Sequence, residues 1–128
     1  MITVLLGDAS KLGLNVVVTE VTAGDAGEAL LVGDEIHTTK AQDEQDIRAC
    51  VWNSLAQAYQ VLRNNGFHKI TVGMPLFMAD GVSVKRSAQL TGYTIGHLNG
   101  RFPETKDMDI ILAASDERQY KVLKEVFR

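Results

Sequence analysis

The stretch GDASKLGLNVVVTEVT, from Gly7 to Thr22, decides how this chain is read. It begins directly behind the apolar run ITVLL (Ile2 to Leu6), which predicts a short strand stopped by Gly7-Asp8. A polar bridge leads into NVVVTEV (Asn15 to Val21), β-branched through most of its length as a buried strand is. That run ends on Thr19, Glu20 and Thr22. Strand alternation puts Thr19 and Val21 on one face and Glu20 and Thr22 on the other. A carboxylate at the end of a central strand must reach water, find a partner or take part in chemistry, and reaching water is the ordinary outcome. Asp8 can close an Asx-type turn or accept hydrogen bonds from a ligand, and the two roles are compatible.

Working outward, TAGDAGE (Thr22 to Glu28) is a turn-rich connection, and ALLVG (Ala29 to Gly33) a third apolar run. A long helix is predicted over Asp43 to Asn64, because Ile47, Val51, Leu55, Ala58, Tyr59 and Leu62 recur at three- and four-residue spacing. Its acidic start, DEQD, complements the helix dipole, and Gly66 suits a left-handed stop. KITVGMP (Lys69 to Pro75) reads as a strand running into a loop. VSVKRSAQLTGYTIGHL (Val82 to Leu98) is a helix that Ser83 can cap, with Gly92 and Gly96 spaced for close packing on a neighbour. MDIILAA (Met108 to Ala114) is a buried strand, and SDERQYKVLKEVF (Ser115 to Phe127) a closing amphipathic helix. The order β-β-β-α-β-α-β-α calls for a mixed, largely parallel sheet with right-handed crossovers, its ligands gathered at the strands' carboxyl ends.

The 128 residues suit one domain spanning 1–128, with 45% hydrophobic and 23% charged residues near the globular average. A formal charge of −3, from 13 basic and 16 acidic residues, argues against a nucleic-acid or anionic-membrane footprint. One cysteine, Cys50, leaves no intramolecular disulfide and fits a reducing, cytoplasmic setting. The opening MITVLLGDAS lacks the basic start and length of a leader, and no segment has the length of a membrane span. His37, His68 and His97 have no ligand spacing, so no metal and no cofactor is expected. The loop GMPLFMADG puts large apolar residues between a strand and a helix. It either folds over the core or presents Phe77 and Met78 to a protein partner or a second copy.

The residues together resemble the macro domains, which bind ADP-ribose and its derivatives. In that family the opening is typically Gly-Asp-Ile-Thr, a bridge and a strand ending Val-Asn-Ala-Ala-Asn. Here Gly7-Asp8-Ala9-Ser10-Lys11-Leu12 stands for the first part and Val16 to Thr22 for the second. ALLVGDEIHT is similar to the family's strand ending in a histidine-containing turn. VWNSLAQAYQVLRNNGFHKITVGMP is similar to its helix-strand unit, and DIILAASDERQYKVLKEVF to its last strand and helix.

The resemblance implies a three-layer α/β/α domain and a ligand cleft around Gly7, Asp8, Ala9, Thr19, Thr22, Gly81 and Ser83. Asp8 would accept from an adenine amino group. Thr19 and Thr22 stand where the family has asparagines for the distal ribose, and LFMADGVS (Leu76 to Ser83) stands for its second phosphate loop, keeping only Gly81 and Ser83 of that character. The first glycine-rich loop and the helix behind it are replaced by the short AGDAGE. Three functions are therefore expected in order. The first is binding of an ADP-ribose-like nucleotide without catalysis. The second is an interaction module with a vestigial pocket, of the sort found in viral polyproteins and at the N-terminus of leucine aminopeptidases. The third is hydrolysis of ADP-ribose derivatives, with Glu20 or Asp80 positioning a water.

Overall fold

In a computed structural model of the chain, residues 2–8, 14–21, 29–33, 35–66 and 69–127 are described. They form strands β1 (Ile2–Leu6), β2 (Val16–Val21), β3 (Ala29–Val32) and β4 (Glu35–Thr39), then helix α1 (Glu44–Asn64). Strand β5 (Ile70–Pro75), helix α2 (Val84–Arg101), strand β6 (Met108–Ala114) and helix α3 (Glu117–Val126) follow. The six strands make one sheet in the order β1-β6-β5-β2-β4-β3, parallel throughout except that β3 runs antiparallel to β4. The mixed, largely parallel α/β sheet expected from the sequence is present.

Each helix starts where its cap residue dictates. Asp43 accepts from the Asp46 N–H at 2.8 Å, Ser83 from the Arg86 N–H at 3.1 Å and Asp116 from the Gln119 N–H at 2.8 Å. Each cap satisfies one of the donors that a first turn leaves open. Gly66, at φ +65°, follows the end of α1.

The segment ALLVGDEIHT departs from its expected form. It folds as a hairpin of two strands rather than one strand and a histidine turn, with Leu30 opposite His37 and Val32 opposite Glu35. Gly33 takes φ +67° between the two strands. EIHTT is polar to the eye because only its Ile36 and Thr38 face the helices, where both are buried, while Glu35 and His37 face away.

The same alternation runs across the whole sheet. Val16, Val18, Ile36, Val72, Met74, Ile110 and Leu112 are buried in a single core. Helix α1 covers β3 and β4, α3 covers β1 and β6, and α2 lies between them in contact with both helices. These contacts place all three helices on one face. On the other, Leu30 is 60% and Val32 49% exposed. The described residues thus supply the sheet and one helical layer of the expected three-layer arrangement.

Close packing at the helix glycines holds at one position of two. A Cβ on Gly92 would stand 3.1 Å from the ring of Phe127, whereas at Gly96 it would meet open space. The apolar loop behind β5 folds over the core, with Phe77 fully buried and Leu76 and Ala79 nearly so. Phe77 therefore cannot anchor a partner or a second copy, and Met78 is only half-buried beside it. Cys50 is buried as expected, its thiol donating to the Thr39 carbonyl at 3.3 Å.

Candidate functional site

The site originates in how two central strands part. The β2–β5 ladder pairs Val16 with Val72 and Val17 with Gly73, and there it ends. Past that point Pro75 has no N–H to extend a ladder. Connections from these strands also leave in opposite directions, β2 toward β3 and β4, β5 toward β6. Such a switch point leaves a crevice at the strands' carboxyl ends.

The crevice is a cleft of about 610 Å³. One wall is Val17, Val18, Thr19 and Glu20 of β2, with Glu35 from β4 and Lys40 just beyond it. Facing it are Met74, Pro75, Leu76 and Met78 at and after the end of β5. Gly7 and Asp8 from the end of β1 join Ala113, Ser115 and Gln119 from β6 and α3 to close the remaining side. Met74 and Leu76 are buried core side chains, so the cleft's apolar floor is continuous with the core.

Several polar groups at this rim are already committed. The Gly7 N–H donates to the Ala114 carbonyl at 3.0 Å, extending the β1–β6 pairing by one residue. The Ser115 N–H donates to Gln119 Oε1 at 3.0 Å. Burial pushes the Glu20 carboxyl above its ordinary value of 4.5, and the positive charge of Lys40 opposes that rise. Glu20 is nevertheless exposed at the end of β2, so it reaches water as the sequence led one to expect. At the outer end Glu35 Oε2 lies 3.1 Å from His37 Nε2.

Of the sequence-predicted residues, Gly7, Asp8, Thr19 and Glu20 line the cleft together. Ala9 and Thr22 lie outside the described residues. Gly81, Ser83 and Asp80 are not among the lining residues, and the reason is local. Asp80 and Gly81 form the middle of a turn closed by the Val82 N–H to the Ala79 carbonyl at 3.1 Å. That turn uses the positive φ of Gly81, +79°, and Ser83 is consumed as the cap of α2.

Glu35, Lys40 and Gln119 had no sequence signal. They reach the cleft through sheet order and through a strand, β4, that polar letters concealed. A second groove, of about 560 Å³, lies between α1 and α2, with Arg48, Trp52, Tyr93 and His97 among its lining. Trp52 there meets the His97 ring edge-on, at 5.5 Å between centroids.

No protein-family model matches the sequence, and no curated protein matches it significantly. Solved structures do match in fold. A Trypanosoma brucei macrodomain in complex with ADP superposes at a TM-score of 0.78 with 14% identity, over 99% of this chain and 69% of that one. An Oceanobacillus iheyensis macrodomain with ADP gives 0.71 at 14% identity, over 96% and 87%. The macro domain of ganglioside-induced differentiation-associated protein 2 gives 0.70 at 16%, over 97% and 83%. The chain therefore has the macrodomain fold in a divergent form, as its sequence resemblance implied.

Proposed function

We propose that this chain binds ADP-ribose or a related nucleotide derivative in the cleft between the carboxyl ends of β2 and β5. The observation that carries the reading is the convergence of Gly7-Asp8 from β1 and Thr19 from β2 on one apolar-floored cleft. Solved proteins of this fold hold ADP and ADP-ribose, which share an adenosine unit. In the proposed complex the apolar floor of Met74, Leu76 and Met78 takes the base, Asp8 accepts from its amino group, and Thr19 meets the sugar.

No reaction is part of the proposal. Of the two acids named for a hydrolytic reading, Glu20 lines the cleft and Asp80 sits at the exposed tip of a turn outside the lining. An interaction module anchored on Phe77 loses its anchor to the core.

The test is titration calorimetry of the wild type and Asp8→Ala with adenosine, AMP and ADP-ribose. Saturable binding of at least one, weakened by Asp8→Ala more than about tenfold, or ~1.4 kcal/mol, supports the reading. Saturable binding that Asp8→Ala leaves unchanged, or no binding at all, contradicts it.

A further inference from the structure

We infer that the groove between α1 and α2 is a second binding site, suited to a small planar aromatic ring that carries a carboxylate. It is independent of the cleft between β2 and β5 and of what that cleft holds.

Two helical ladders build the groove. Arg48 and Trp52 stand four residues apart on α1, and Tyr93 and His97 four apart on α2, so each pair shares one face of its helix. Together they line a volume of about 560 Å³, within the range of small-molecule sites. Both helices are described along their whole length.

Aromatic surface is what the two walls present. Trp52 is half-buried and meets two rings edge-on, His97 at 5.5 Å and Phe102 at 6.2 Å between centroids. Its indole is thereby held in direction before a ligand arrives, which lowers the ordering cost of binding. Tyr93, on the α2 wall, is 65% exposed. A flat ring lying in the groove meets an aromatic on each wall, in the offset or edge-on contact that such rings favour.

Charge then fixes the class of ligand. Among the described residues the lining holds no carboxylate, and Arg48 supplies its guanidinium. Arg48 is exposed and makes no ion pair with any described residue. Its field reaches Glu44, but that carboxylate already accepts two hydrogen bonds from Arg86, at 3.0 and 3.2 Å. The fork of an open guanidinium matches a carboxylate through two parallel hydrogen bonds. A phosphate fits less well, because its sites draw on backbone N–H groups. Trp52, Tyr93, Thr94 and His97 lie inside helices whose own ladders use those groups. The Thr94 hydroxyl is likewise spent on the Leu90 carbonyl, at 2.7 Å.

Trp52 is the chain's only tryptophan, so its indole N–H gives a single, unambiguous signal in an amide NMR spectrum. That signal is followed on the intact protein with phenylacetate, with its neutral analogue phenylacetamide and with acetate, on the wild type, Arg48→Gln and Tyr93→Ala. Both substitutions change exposed side chains, and circular dichroism with a thermal melt checks that each variant is folded. Phenylacetate is expected to shift the signal saturably and to bind at least about fivefold tighter than phenylacetamide, while acetate leaves the signal in place. Arg48→Gln is expected to bring acid and amide within about twofold of each other. Tyr93→Ala is expected to weaken both. Equal affinity for acid and amide on the wild type, a preference that survives in Arg48→Gln, or the absence of a saturable shift overturns the inference. A signal that moves on dilution of the protein alone, and not with phenylacetate, marks the groove as a contact between copies and overturns it as well.

Discussion

Arg86, in the first turn of α2, donates through Nη2 and Nε to one oxygen of Glu44, in the first turn of α1, at 3.0 and 3.2 Å. Two helix starts are thereby pinned together, with the guanidinium of α2 turned toward α1. The hydrogen bond from Arg86, with the charges of Arg86 and Arg48, holds the Glu44 carboxyl below its usual value.

The sign of the acid response follows. A carboxyl whose folded pKa is depressed contributes stability above its unfolded pKa and loses it as pH falls through the folded one. Both partners are exposed, so the contribution is small. Urea midpoints measured from neutral pH to below about pH 4 are expected to fall slightly less for Glu44→Gln than for the wild type. Parallel pH profiles for the two would contradict the pairing.

Glu20 has the opposite sign. Its folded pKa is raised by burial against the opposing charge of Lys40, so its contribution is favourable below the unfolded pKa and is lost as pH rises through the folded one. Glu20→Gln is expected to raise the melting temperature near neutral pH, with the gain vanishing below about pH 4. Lys40→Met, which removes the compensating charge, is expected to lower it at neutral pH. A Glu20→Gln protein that melts lower than wild type at neutral pH would mean that the ionised acid has a strong partner.

Phe77 is fully buried. Phe77→Ala is expected to cost about 3–5 kcal/mol in chemical denaturation, as other large-to-small core changes do. Had the side chain been a docking anchor, truncation would leave the stability of the isolated chain almost unchanged, and that result would overturn the burial.

The glycines of α2 separate conformational cost from packing. Gly96→Ala meets open space and is expected to stabilise by up to about 1 kcal/mol through helix propensity alone. At Gly92 the added Cβ would be 3.1 Å from the Phe127 ring, so that ring must shift and part of the same gain is lost. Equal gains from the two substitutions, in paired thermal melts, would contradict the close approach of α2 and α3.

The helices were legible because their signals are local: periodic Ile47, Val51 and Leu55 for α1, and Ser83 before Val84 for α2. The parallel core was legible from the β-branched run at Val16 and the alternation of strands and helices. Strand β4 was not, since half of EIHTT faces away from the helices, and a strand with polar letters on one face and Thr38 on the other lacks the expected contrast. The same limit governs the site. Gly7, Asp8, Thr19 and Glu20 lie at strand ends that the sequence marks. Glu35, Lys40 and Gln119 reach the cleft by strand order, which spacing does not encode. Gly81 and Ser83 carried the chemical character of a phosphate loop, but a turn and a helix cap use that character up.

The measurement that bears most directly on the central claim is a two-dimensional amide NMR titration of the labelled protein with adenosine and with ADP-ribose. If the parting of β2 and β5 makes the binding site, the largest shift changes fall on Gly7, Asp8, Thr19 and Ser115, while Trp52, Tyr93 and His97 stay in place. Saturable changes confined to the groove between α1 and α2, with the amides of the cleft unmoved, would contradict it.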